Sequence, residues 1–154
     1  MPARLAASAA LALVALFPGC GGSDPPRPAG ACTASAGAIE RALQRAPATV
    51  TLDGGARLSD CVARARSDAD LQNAGLVLTR AADHLAERAR GGDARAAAAL
   101  GYLVGATRRG AARTTGIQEQ LKRRLEQAAA FLEEGGPGVA AALARGMRAG
   151  EATG

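Results

Sequence analysis

The chain has 154 residues, 48% of them hydrophobic and only 2% aromatic, and a formal net charge of +5. That length holds one domain with a core of its own and excludes two full-sized ones. A mild charge without interleaved aromatics excludes a base-stacking nucleic-acid binder, and one histidine is too few for an ordinary metal centre.

The first residues form a transport device. Arg4 gives a positive start, and Leu5 to Phe17 is an uncharged apolar run of about 13 residues. That fits the roughly 7–15 of a signal h-region and falls short of the roughly 17–25 needed to span a bilayer. No A-x-A-like cleavage site follows directly. Phe17-Pro18-Gly19-Cys20 follows instead, then Gly21-Gly22-Ser23-Asp24. This stretch resembles the lipobox of bacterial lipoproteins, in which a small residue precedes the cysteine that becomes lipidated. The resemblance implies diacylglyceryl transfer to the Cys20 sulfur and removal of residues 1–19. It also implies an anchored mature chain outside the cytoplasmic membrane, or in the periplasm or outer membrane of a diderm cell. Acyl burial contributes about 0.8 kcal/mol per CH₂, so two or more chains hold stably.

Residues 20–31 read as a tether, because the prolines and glycines between Gly21 and Ala31 propagate neither helix nor strand. At roughly 3.1 Å per residue it reaches about 34 Å. The domain is expected over residues 32–149, with a disordered tail at 150–154. Its core, rich in alanine and leucine, must gain burial from close helix approach. Beyond Cys20 the chain has Cys32 and Cys61, which export would place in an oxidising compartment where they have one possible pairing. Two unpaired cysteines or a metal pair are the alternatives, and a metal would need more ligands than His84 supplies.

Thr33 or Ser35 caps a first helix carrying Ile39, Ala42, Leu43 and Ala46, which Pro47 ends. Val50, Thr51 and Leu52 precede the turn signal Asp53-Gly54-Gly55, so an extended loop or minimal hairpin is expected near 49–55. Ser59 caps a helix through Arg66, and Ser67 either continues it or starts another. Leu71, Leu78 and Leu85, joined by Ala74, Ala82 and Ala89, form a long stripe closed by Gly91-Gly92. Asp93 caps the next helix, whose inner stripe is Ala97, Leu100, Leu103 and Val104 and which Gly110 ends. Gly101 and Gly105 make a small-xxx-small spacing that points to a close neighbouring helix in a water-soluble bundle. Thr115 and Gln118 have capping-box spacing, and Ile117, Leu121, Leu125, Ala128 and Leu132 form the cleanest stripe in the chain. After Gly135-Gly136, Pro137 opens a short last helix bearing Val139, Ala142, Leu143 and Met147.

The fold class is therefore all-α, a compact bundle of roughly four to five helices with short Gly breaks that favour antiparallel neighbours. Arg108, Arg109, Arg113, Lys122, Arg123 and Arg124 make the one charge concentration. They form either a solvated helix face balanced by Glu119, Glu126, Glu133 and Glu134, or a basic surface for an anionic partner. His84 lacks converging partners, the glycine pairs lack the Lys-Ser/Thr of a phosphate loop, and the cysteines have no histidine to activate them. No catalytic residue, metal or cofactor is expected, and no small-molecule substrate or nucleic acid. The expected function is a lipid-anchored, non-catalytic protein-interaction module of the cell envelope. The alternative is a structural module whose Arg-rich face lies on anionic lipid or wall polymer.

Overall fold

The computed structural model describes residues 28–154 apart from 115, 117, 133 and 135. The signal segment, Cys20 and most of the tether lie outside the described residues, as do Thr115, Ile117 and Glu133. The described residues form six α-helices: α1 (Ala36–Leu43), α2 (Leu58–Arg64), α3 (Asp68–Arg90), α4 (Ala94–Ala111), α5 (Glu119–Ala130) and α6 (Pro137–Thr153). The all-α expectation holds. The count exceeds the expected one because the chain breaks at Ala65–Ser67, where the Ser67 hydroxyl accepts from the Asp70 amide and starts α3 afresh. The Asp53–Gly55 stretch is a single 3₁₀ turn, so the 49–55 segment is a loop and not a hairpin.

Side-chain capping marks three of the six helix starts, those of α1, α3 and α4. Ser35 accepts from the Ala38 amide at the head of α1. Asp93 accepts from the Arg95 and Ala96 amides at the head of α4. The Ala96 amide, together with the Arg88 guanidinium, holds the Asp93 carboxyl below the usual range. Ser59 departs from its expected capping role. It lies inside α2, fully buried, and its hydroxyl donates to the Gly154 carbonyl at 2.5 Å. Gln118 stands at the head of α5 without capping it; its side chain crosses to donate to the Ala65 carbonyl at 2.7 Å.

Helix α4 is the axis of the bundle and packs against all five others. Every residue from Ala96 to Thr107 is buried, so it has no solvent face, as a helix apolar all round requires. The other helices each turn one stripe toward it. In α3 the stripe is Ala74, Leu78, Ala81, Ala82, Leu85, Ala86 and Ala89; in α5 it is Leu121, Leu125 and Ala129. Leu71, expected in the α3 stripe, is only half-buried.

The tightest contact joins α4 to α6, which run parallel and are separated in the chain by α5. Gly101 faces Leu143 and Met147, Gly105 faces Met147 and Glu151, Gly146 faces Ala98, and Gly150 faces Tyr102 and Ala106. A Cβ built at any of these four glycines would stand 2.0–2.1 Å from a carbonyl oxygen of the other helix. The two backbones therefore touch directly, and contact between main-chain atoms replaces the large side chains that this sequence lacks. Gly110, expected to end α4, lies inside it and opens space for α2: a Cβ there would meet the Ser59 carbonyl oxygen at 2.5 Å.

The expected disordered tail is helix instead, continuing to Thr153 with Gly150 and Gly154 buried. Polar groups tie it down. The Tyr102 phenol accepts from the Val50 amide at 3.0 Å and contacts the Thr153 hydroxyl at 2.9 Å. That hydroxyl donates to the Ala149 carbonyl, so the phenol is the donor to Thr153. Cys32, in a 3₁₀ turn before α1, and Cys61 in α2 are at disulfide distance, with Cα atoms 5.5 Å apart.

Candidate interaction surface

The six basic residues singled out from the sequence do not form one face. Arg109 donates from Nη1 to the Glu151 and Ala152 carbonyls at 2.9 and 2.6 Å, so it completes hydrogen bonds at the end of α6. Its Nε is buried and unpartnered among the described residues. Arg108 bridges α5 and α6, reaching Glu126 at 2.7 Å and Glu151 at 3.1 Å. Burial works to lower the Arg108 guanidinium, and the hydrogen bonds to both carboxylates outweigh it and hold its pKa above the ordinary value. Arg113 reaches the Ser59 hydroxyl at 3.1 Å and Asp60 at 3.5 Å on α2. These three arginines staple helices together.

The remaining three lie on α5. Lys122 meets Glu119 at 2.7 Å, and Arg123 reaches the same carboxylate at 3.6 Å. The Lys122 hydrogen bond, with the Arg123 charge beside it, holds Glu119 below the usual carboxylate range. Glu126, one turn further along α5, turns away to Arg108. Arg124 is exposed and has no ion-pair partner among the described residues.

Arg123 and Arg124 border a groove of about 670 Å³ between α3 and α5. Leu71, Gln72, Gly75, Leu76 and Thr79 line one wall, and Gln120, Leu121 and Gln127 join the two arginines on the other. Leu121 is buried at the base of the α5 wall, while Leu76 stands 55% exposed at the mouth. Gly75 keeps the base open opposite Leu121, whose Cδ1 is 3.7 Å from where a Gly75 Cβ would stand. A smaller cleft of about 370 Å³ lies on the other flank of α5 and shares Arg123 and Gln127. Phe131, four residues past Gln127, is 77% exposed. The arrangement offers apolar area, amides and guanidinium groups, which suit a polypeptide surface.

Other features carry structural roles. His84 Nδ1 contacts Glu40 Oε1 at 2.9 Å and so links α1 to α3. No group of three or more His, Cys, Asp or Glu side chains that could hold a metal occurs among the described residues. None of their helices is long and apolar enough to cross a membrane. The α3 wall of the groove and the exposure of Phe131 go beyond what the sequence patterns predict. Both have a signal in the sequence, since Leu76 falls off the apolar stripe of α3 and Phe131 off the line that the α5 stripe continues. No family model, curated protein or solved structure matches the chain.

Proposed function

We propose that this protein is a lipid-anchored component of the cell envelope that makes a non-catalytic protein–protein contact through the α3–α5 groove. The observation that supports the contact is the groove itself, an open trough of mixed polarity in which three leucines lie beside two arginines and three glutamines. The alternative, a basic face lying on anionic lipid or wall polymer, draws less support, because Arg108, Arg109 and Arg113 are spent on contacts within the bundle. A photo-crosslinking side chain in place of Gln127 tests the reading in membranes from the native envelope. It should give a protein adduct that persists at 0.3 M salt, where surface charge is screened beyond roughly 6 Å. A folded, membrane-bound chain that gives no adduct would end this reading.

The anchor rests on the resemblance at Cys20. Replacing Cys20 by serine removes the thiol that accepts the lipid and keeps the apolar run that engages export. The variant should accumulate as an uncleaved precursor without acyl mass, while the wild-type chain partitions with detergent and carries that mass. A wild-type chain released in soluble form, with its N-terminus downstream of Cys20, would contradict both the anchor and the envelope location.

A further inference from the structure

We propose that the α3–α5 groove takes the α5 helix of a second copy of this chain, in a two-fold antiparallel pairing. The proposal rests on the reading of the groove as a protein contact and names its occupant. A two-fold interface brings the same patch of both molecules together, so that patch must carry both halves of every contact. The exposed row along α5 and its C-cap residue does so. Gln120, Arg124, Gln127 and Phe131 succeed one another at steps of four, three and four along one face. Arg124 borders the groove, Phe131 ends the row, and Glu134 follows it in an exposed turn.

Arg124 and Phe131 lie seven residues apart, about 10.5 Å along a helix axis. One antiparallel crossing near Gln127 therefore sets Phe131 of each copy against Arg124 of the other. The ring then covers the guanidinium face and reaches toward the Leu76 and Leu121 side chains. Glu134 of each copy approaches that same Arg124, which has no carboxylate partner within its own chain among the described residues. Symmetry makes each contact twice. An unrelated acidic partner would satisfy Arg124 and leave Phe131 in water. Self-pairing covers both Leu76 and Phe131, the large hydrophobic side chains that stand exposed among the described residues.

The test uses the full chain in its native membrane, with the photo-crosslinker at Gln127. The adduct should run at twice the chain's mass and yield peptides of this chain alone, and the same probe at exposed Arg57 should give none. Phe131→Ala should cut the yield by roughly tenfold, as loss of an aromatic anchor does. Arg124→Glu and Glu134→Arg should each cut it similarly, and the double variant should restore it, because the exchanged charges pair again. All four variants change exposed positions, so far-UV circular dichroism should stay that of the parent. Capture of a different protein at Gln127 would overturn self-pairing and leave the groove reading intact. Capture of nothing would overturn both, and single losses without recovery in the double variant would overturn the pairing as drawn.

Discussion

Gly105→Ala destabilises the domain by about 3 kcal/mol or more, the upper end of what overpacking costs. The new Cβ would stand 2.1 Å from the Met147 carbonyl oxygen and 2.8 Å from the Glu151 amide nitrogen. Both atoms belong to the backbone of α6, so no rotamer change relieves the clash and the whole helix must move. In a helix interior the same substitution normally gains roughly 0.5–1 kcal/mol, because alanine loses less backbone entropy than glycine. The sign of the effect therefore reports the packing. Gly138 supplies the control, because it lies in α6 with nothing within 4 Å of its would-be Cβ, and Gly138→Ala should be neutral or mildly stabilising. Thermal unfolding followed by circular dichroism should show a fall of roughly 10 °C for the first variant. A Gly105→Ala chain as stable as the parent would mean that α6 is not seated on α4 as described.

Removing the Cys32–Cys61 bridge is the second large effect. The two cysteines are 29 residues apart, and closing a loop of that length restrains the unfolded chain by about 3.6 kcal/mol in the loop-entropy account. The bridge fastens the turn before α1 to α2, and both sulfur-bearing residues are almost fully buried. Reduction, or the double change to serine, should lower the melting temperature by roughly 10 °C. The oxidised chain should weigh two hydrogens less than the reduced one. Free thiols at both positions in protein isolated from its native source without reductant would remove this support from the fold.

The amphipathic helices are legible from periodicity, because each buries one stripe and exposes the rest. Leu78, Leu85, Leu121 and Leu125 sit where their spacing puts them. Half of the α4–α6 seam is legible too, since Gly101 and Gly105 stand four apart inside a helix that tolerates them only for a reason. The other half reads as a fraying end. Gly146, Gly150 and Gly154 each weaken a helix by up to about 1 kcal/mol, and propensity alone says that such a segment melts. Packing against α4 reverses that balance, and nothing local to residues 146–154 reveals it. The basic cluster misleads for a related reason. Arg108, Arg109 and Arg113 are close in sequence to Lys122–Arg124, yet their partners Glu151, Ala152 and Ser59 come from distant segments. The groove needs α3 and α5 side by side, a pairing that no single-helix pattern encodes.

A ridge of glycines repeating every four residues fixes how near α6 comes to α4, but leaves its axial setting degenerate. Sliding α6 by one turn, about 5.4 Å, would carry Gly150 to the place of Gly146 and Gly154 to that of Gly150. The seam would then close almost as well in the wrong notch. What forbids the slip is polar and sits at one end. Thr153 would leave the Tyr102 phenol, Gly154 would leave Ser59, and the Glu151 and Ala152 carbonyls would leave Arg109. The glycines thus act as a track and these hydrogen bonds as the detent, a division of labour in which buried polar groups set register while small residues set distance.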